Sequence, residues 1–468
     1  MPAVYRWCET FGRAGNGQMI THEICLPSAR VNDLRLSSCV LLLVTSVLTA
    51  CATKGPYRID LMPAPDVYDD GAVDPFVDGN PIEDLPYGGV LFATDREPAD
   101  EEHGEDYYQN KRGHVLRLGA ARVELGPNGL SWEEARKISL AKNRTDEYPL
   151  RVRGVTEFGV LESTVPWSFV EPSEVPPELL DGDEEFARAI NDKLASSERK
   201  HVYIYVHGYK VVFENPVLVA TELWHFLGYD GVFISYAWPA TPKRLAYVAD
   251  LETASYSAHN LRKLIEYIAT NTVAEKIHVV GYSAGTRVVV NAIAQLALKR
   301  SQMDRDAILN QLRVGNVILI GSDFDRNRFA AYIDDGFLKV PERVSIYLSG
   351  VDKALGMSRW LFSRERLGQT WEQDRLRPAV ARFLSQHDEI QLIDVTDAED
   401  AAAGNGHAYF RQSPWASSDI LMTLMYDLSP AERGLQRSDE FGIWTFPSDY
   451  IDRLRMAVSR VHPKLQFD

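Results

Sequence analysis

The 468-residue sequence predicts an α/β fold with a mostly parallel central sheet and helices on both faces. Three observations point there. Short apolar runs rich in β-branched residues recur along the second half: "HVYIYVHG" (201–208), "GVFISYAW" (231–238), "KIHVVGYS" (276–283), "NVILIGSD" (316–323), "RVSIYLSG" (343–350) and "EIQLIDV" (389–395). Helical patterns such as "VLVATELWHFLG" and "LETASYSAHNLRKLIEYIAT" separate the first of them. The runs are apolar almost throughout, as strands covered on both faces require.

Residues 1–50 read as a lipoprotein-type signal peptide. Arg30 and Arg35 precede an apolar core, Val40 to Ala50, of roughly ten residues, too short to span a bilayer. Leu48-Thr49-Ala50-Cys51 resembles the bacterial lipoprotein cleavage box, which implies lipidation at Cys51 and a place in the cell envelope. Ala52 after the cysteine favours the outer membrane, with the protein facing the periplasm. Met1 and Met19 both remain open as the start. Residues 51–86, rich in Pro, Asp and Gly, read as a tether. The main folded domain then runs over 87–468. "GGVLFATDREP" (88–98) is its first strand, ending in a polar turn, and "HVLRLGAARVELG" (114–126) supplies one or two more. "WEEARKISL" reads as a helix. A loop or insertion is expected near 162–185, followed by an amphipathic helix with Phe186, Ile190 and Leu194 on one face.

Composition excludes some functions. The formal charge is −16 with no Lys/Arg cluster, so no nucleic-acid partner is expected. Cys8, Cys25, Cys39 and Cys51 are the only cysteines, so the domain has no disulfide framework and no cysteine metal site. His201 and His207 form no recognised ligand set with nearby carboxylates. No cofactor and no metal are called for. The oligomeric state is not encoded in any motif.

The chemistry centres on "GYSAG". Ser283 follows a strand and precedes a helix, the context in which Gly-x-Ser-x-Gly becomes a nucleophile elbow. Gly281 and Gly285 remove side chains that would collide at so sharp a corner. A serine needs a base, and in this kind of fold the chain order is serine, acid, histidine. His407, in the loop "GNGHAYF", is the only histidine between the last strand and the C-terminal helices. Asp352 lies just past "RVSIYLSG". Asp323 lies past the preceding strand and stays open as an alternative acid, or as a cap for the next helix. The oxyanion is expected to be held by the N–H groups of Ala284, at the helix start, and Tyr209, in "YVHGYK".

From Gly88 to Leu435 the chain resembles the α/β-hydrolase family of domain of unknown function 900. The carriers are "VLFATDRE", "YVHGYK", "SYAWPA" with Tyr247 and Asp250 beyond it, "GYSAGTR", "GSDFD", "YLSGVDKALGMSRWLFSRERLG" and "GHAYFRQSP". The resemblance implies an α/β-hydrolase fold with Ser283, His407 and Asp352 at the catalytic positions, and Asp323 at another family motif. Asp95 and Gly321-Ser322 depart from the asparagine and alanine-proline expected of many relatives. The expected function is a serine hydrolase of small-molecule or lipid esters held to a membrane by its anchor. A non-catalytic envelope binding protein, an amidase or an acyltransferase on the same triad are the alternatives.

Overall fold

In a computed structural model of the protein, the described residues are 59–462 apart from 72, 77–78, 86–87, 101–106, 127–129, 172, 174, 244–246, 363–364, 371–377 and 439–441. The chain divides into two units, Met1–Lys54 and Gly55–Asp468, and every described residue belongs to the second. The expected signal peptide and Cys51 lie outside the described residues.

Twelve strands form one sheet: β1 (Ile59–Asp60), β2 (Val90–Pro98), β3 (Tyr108–Leu125), β4 (Pro149–Val160), β5 (His201–Val206), β6 (Val232–Tyr236), β7 (Lys276–Tyr282), β8 (Val314–Ile320), β9 (Arg343–Leu348), β10 (Ile390–Asp394), β11 (Gln436–Arg437) and β12 (Trp444–Thr445). Their order is β1-β4-β3-β2-β6-β5-β7-β8-β9-β10-β12-β11. Every pairing from β2 through β12 in that order is parallel. The antiparallel pairs sit at the two ends.

The central strands are buried on both faces, which explains their unbroken apolar runs. In β5, Val202, Ile204 and Val206 face one core, with Ala258 and Leu261 of the helix Tyr247–Asn271 and Val289 and Ile293 of the helix Gly285–Lys299. Tyr203 and Tyr205 face the other, with Leu223 of the helix Glu214–Phe226 and Leu421 of the helix Pro414–Tyr426. The expected helix at 132–140 forms as Trp132–Ser139, with a capping box between Ser131 and Glu134.

Register brings the active ends of the strands to one rim. Val206 pairs with Gly281, Tyr282 with Ile320, Ile320 with Tyr347, and Leu348 with Asp394. After β5 the chain pairs β6 on one side and β7 on the other. That reversal is a topological switch point, the place beyond the carboxyl ends of the strands where open α/β sheets bind ligands.

Two expectations need correction. The stretch read as a tether through residue 86 packs onto the domain from Ile59. Leu61, Met62, Ala64, Val67, Tyr68, Val73 and Phe76 are buried. Distant residues satisfy its polar groups: Met62 N–H donates to Glu222 Oε1 (2.6 Å), Val67 N–H to Ser418 Oγ (3.1 Å), and the Tyr68 hydroxyl to the backbone Phe226 O (2.7 Å). Its Pro and Asp content limits it to a two-residue strand and the short 3-10 helices Asp66–Gly71 and Pro81–Asp84, but does not prevent burial. The polar turn expected at the end of "GGVLFATDREP" is instead strand: β2 continues through Thr94, Asp95 and Arg96, and all three are fully buried. The 162–185 stretch holds only short helical turns and irregular chain before the helix Gly182–Ser196. It leaves Phe169 89% exposed.

Candidate active site

Ser283 stands at the corner between β7 and the helix Gly285–Lys299 with φ 52°, in the left-handed region that a serine rarely adopts. The corner is held from both sides. Ser283 N–H donates to Ile320 O (2.9 Å), and Ser283 O accepts from Thr286 N–H (3.1 Å) and the Thr286 hydroxyl (2.6 Å). A Cβ on Gly285 would run into the carbonyl oxygens of Val206 and His207, so the serine helix can meet β5 this closely only with glycine there. The side chain is thereby turned out of the sheet at its carboxyl edge.

His407 arrives from the loop after β10. That loop is pinned: His407 N–H donates to Asn405 Oδ1 (3.1 Å), and Lys353 N–H donates to Asn405 O (3.1 Å). The imidazole Nε2 lies 2.8 Å from Ser283 Oγ, and Nδ1 lies 2.6 Å from Asp352 Oδ2. Asp352 can only accept, so the proton belongs on Nδ1. Nε2 is then left to accept from the serine hydroxyl. The other oxygen, Asp352 Oδ1, accepts from the N–H groups of Ala354 (3.0 Å) and Leu355 (3.0 Å) at the start of the helix Lys353–Phe362. The helix start thus fixes the carboxylate, and the carboxylate fixes the ring. Ser283, Asp352 and His407 are all buried, with at most 9% of any of them exposed.

Asp323 is not part of this chain. Its Oδ1 accepts from the Ser358 hydroxyl (2.5 Å), its Oδ2 from Arg287 Nε (3.0 Å), and Arg366 Nε lies 3.5 Å away. It ties the serine helix to the segment after Asp352, so the alternative acid is set aside. The cap of the helix Arg326–Asp334 is Asp325, which accepts from Arg328 N–H (2.8 Å).

Ala284 opens the serine helix, where unpaired N–H groups and the helix dipole favour negative charge. Across from it, Gly208 lies against the serine: a Cβ there would meet Ser283 Cβ at 3.0 Å. Tyr209, the next residue, is half-buried over the core. The loop that carries it starts from a locked pair. His207 stacks on Trp238 with centroids 5.3 Å apart; Trp238 Nε1 donates to His207 O (2.6 Å), and His207 Nε2 lies 3.0 Å from Trp238 O. Burial first, and then the nearby Arg96 charge, push the His207 pKa down to about 3, against smaller raising by the carbonyls of Gly208 and Trp238, and the ring braces the site with Nδ1 2.6 Å from Gly208 O.

Sequence reasoning overlooked several groups around the site. Tyr409, two residues past His407, accepts from Gly321 N–H (2.6 Å) with its hydroxyl and donates to Tyr347 O (3.1 Å). Arg411 clasps the buried Glu222 through Nε (2.6 Å) and Nη2 (3.0 Å), which fastens the histidine loop to the helix Glu214–Phe226. "GHAYFRQSP" contained both, but nothing in the string says which atoms they meet.

A search of curated proteins finds no match to this chain. The family described as alpha/beta hydrolase of unknown function (DUF900) matches residues 183–424, from the helix before β5 to the helix after His407. The fold, the elbow at Ser283 and this match agree, and the chain belongs to that family of α/β hydrolases.

Proposed function

We infer that the protein is a serine hydrolase that cleaves carboxylic esters, lipid or other acyl esters among them, from the cell envelope. The observation that carries this is the continuous contact from Ser283 Oγ to His407 Nε2 at 2.8 Å and from His407 Nδ1 to Asp352 Oδ2 at 2.6 Å. His407 takes the hydroxyl proton as Ser283 Oγ attacks the ester carbonyl. The tetrahedral oxyanion is received by the N–H groups of Ala284 and Tyr209. His407, now an imidazolium held by Asp352, protonates the leaving alcohol as the C–O bond breaks. Water, deprotonated by His407, then clears the acyl-enzyme. Each oxyanion donor contributes about 3 kcal/mol to lowering the barrier.

The anchor is the lipidated Cys51 at the end of a lipoprotein-type leader, which sets the enzyme at the bacterial outer membrane. Among the described residues no helix is long and apolar enough to cross a membrane.

The test uses full-length, detergent-solubilised protein and a fluorophosphonate probe. Wild type should label, and Ser283→Ala and His407→Ala should not. A wild type that stays unlabelled while a control hydrolase labels would replace this reading with a non-catalytic binding protein. Hydrolysis of p-nitrophenyl esters of increasing acyl length, against matched amides, then defines the bond and the acyl group. Intact mass tests the anchor: acylation at Cys51 supports it, and an unmodified chain beginning before Cys51 removes it.

A further inference from the structure

The string "VLFATDRE" ends in residues that the triad chemistry leaves unused. Arg96 is among the largest fully buried side chains in the molecule. A buried guanidinium is held in place only if its donors are met, because the uncompensated charge costs several kcal/mol. Its acceptors include atoms of three separate segments. Nε donates to Ala237 O (3.3 Å), just past β6. Nη1 donates to Asn110 Oδ1 (2.6 Å) and Gln109 O (3.4 Å) on β3. Nη2 donates to Val211 O (3.1 Å), in the loop after β5. Thr94 assists: its hydroxyl donates to the same Ala237 O (2.7 Å) and accepts from Arg96 N–H (3.2 Å).

The loop after β5 needs such an attachment. Lys210 sits between Tyr209 and Val211 with φ 67°, a left-handed conformation that costs about 1–3 kcal/mol and persists only where its surroundings impose it. On the near side of Tyr209 the chain is held by the reciprocal bonds between His207 and Trp238. On the far side it is held at Val211 by Arg96. Ala237, also gripped by Arg96, precedes Trp238, so one guanidinium reaches both clamps. Charge-assisted bonds are shorter and stronger than neutral ones, which suits a group that must stop a backbone amide from rotating. A preorganised donor acts only if it already points where charge will develop.

We propose that Arg96 is a positioning residue for the oxyanion hole, orienting the Tyr209 N–H through its hold on Val211 and Ala237. This rests on the serine-hydrolase reading and assigns to "VLFATDRE" a role in transition-state binding with no contact to substrate.

The test is a comparison of full-length wild type, Arg96→Lys and Asn110→Ala. Three quantities are measured: kcat and KM on p-nitrophenyl acetate, the affinity for a trifluoromethyl ketone that adds Ser283 to form a charged tetrahedral adduct, and the thermal midpoint. Lysine keeps the charge but cannot reach three segments at once. Arg96→Lys should lose on the order of 10- to 100-fold in kcat with KM within about twofold. Ketone affinity should fall by the same factor. Asn110→Ala, which removes one partner of the guanidinium, should show the same split at a few-fold. A merely structural arginine would lower the thermal midpoint and leave kcat and ketone affinity of the folded protein unchanged, which overturns the proposal. If Arg96→Lys fails to fold, Asn110→Ala decides: a kcat equal to wild type overturns it. Wild type that neither hydrolyses nor labels at Ser283 defeats the hydrolase reading and this proposal with it. An active wild type beside an equally active Arg96→Lys defeats this proposal alone.

Discussion

Asp323 and Asp352 follow neighbouring parallel strands, β8 and β9, and both are buried. Their surroundings differ in kind. Asp323 meets two guanidinium groups and a hydroxyl, so its charge is neutralised inside a structural junction. Asp352 meets two neutral backbone N–H groups and one imidazole. Among the described residues no cation is bonded to it, and a protonated imidazole would be the first. A carboxylate already paired with arginine has little left to offer an imidazolium, whereas one held by peptide N–H groups is fixed in place with its field undiminished. Position at a strand end makes an acid available; the partners decide whether it can serve catalysis.

That contrast can be broken experimentally, starting where the largest effect is expected. Asp352→Asn keeps the shape but favours the wrong tautomer of His407, so kcat should fall on the order of 10⁴-fold with the thermal midpoint nearly unchanged. Loss of less than tenfold would mean that another group holds the ring. Asp323→Ala should do the reverse. It leaves Arg287 and Arg366 facing each other without their shared anion, a loss of about 3–5 kcal/mol in denaturant unfolding, while the folded fraction retains most of its kcat. A collapse of kcat with unchanged stability would return Asp323 to the catalytic list. Tyr409→Phe removes the phenol that joins Gly321 to Tyr347. Roughly 1 kcal/mol, or about fivefold in kcat, is expected from looser placement of the His–Asp pair. Equal rates for Tyr409→Phe and wild type would show that the loop needs no such link.

Asp95 is another buried carboxyl, with no cation directly bonded to it among the described residues. Its Oδ2 accepts from Asn260 Nδ2 (3.1 Å) and, at 3.4 Å, from the Tyr236 hydroxyl, while Oδ1 meets no hydrogen-bond donor among the described residues. Burial raises its pKa above 3.8, against smaller lowering by Ser257, Asn260 and Arg96. The native state therefore binds the proton more tightly than the unfolded chain. Stability from this group is complete below 3.8 and declines as pH rises through the raised folded value. Asp95→Asn should be more stable than wild type at pH 7, with the gap closing as pH falls toward 4. A gap that widens on acidification would reverse the assignment.

The parallel core and the serine were legible because their signals are local. The apolar runs need no partner to be recognised, and strand, glycine, serine, glycine and helix lie within ten residues. His407 was readable by position, as the histidine in a small-residue loop after the last long strand. The choice between Asp323 and Asp352 was not, since it depends on arginines from the serine helix and from a later loop. Strand β4 was missed because Arg151, Arg153 and Glu157 break its apolar pattern on a face that stays partly exposed. Arg96 resembled a turn residue because its burial is made possible by carbonyls far away in sequence. The same applies to Met62, Val67 and Tyr68, whose burial rests on Glu222, Ser418 and Phe226.

The left-handed corner at Ser283 has a thermodynamic corollary. Holding a residue with a β-carbon there costs roughly 1–2 kcal/mol, so the fold carries a permanent handicap at this corner. Ser283→Gly and Ser283→Ala are both expected to be inert toward esters, but only glycine relieves the handicap, less its own flexibility in the unfolded chain. The glycine variant should outlast the alanine variant on heating, and equal melting of the two would show that the corner is relaxed. An enzyme so built would be at its sturdiest when it can no longer work.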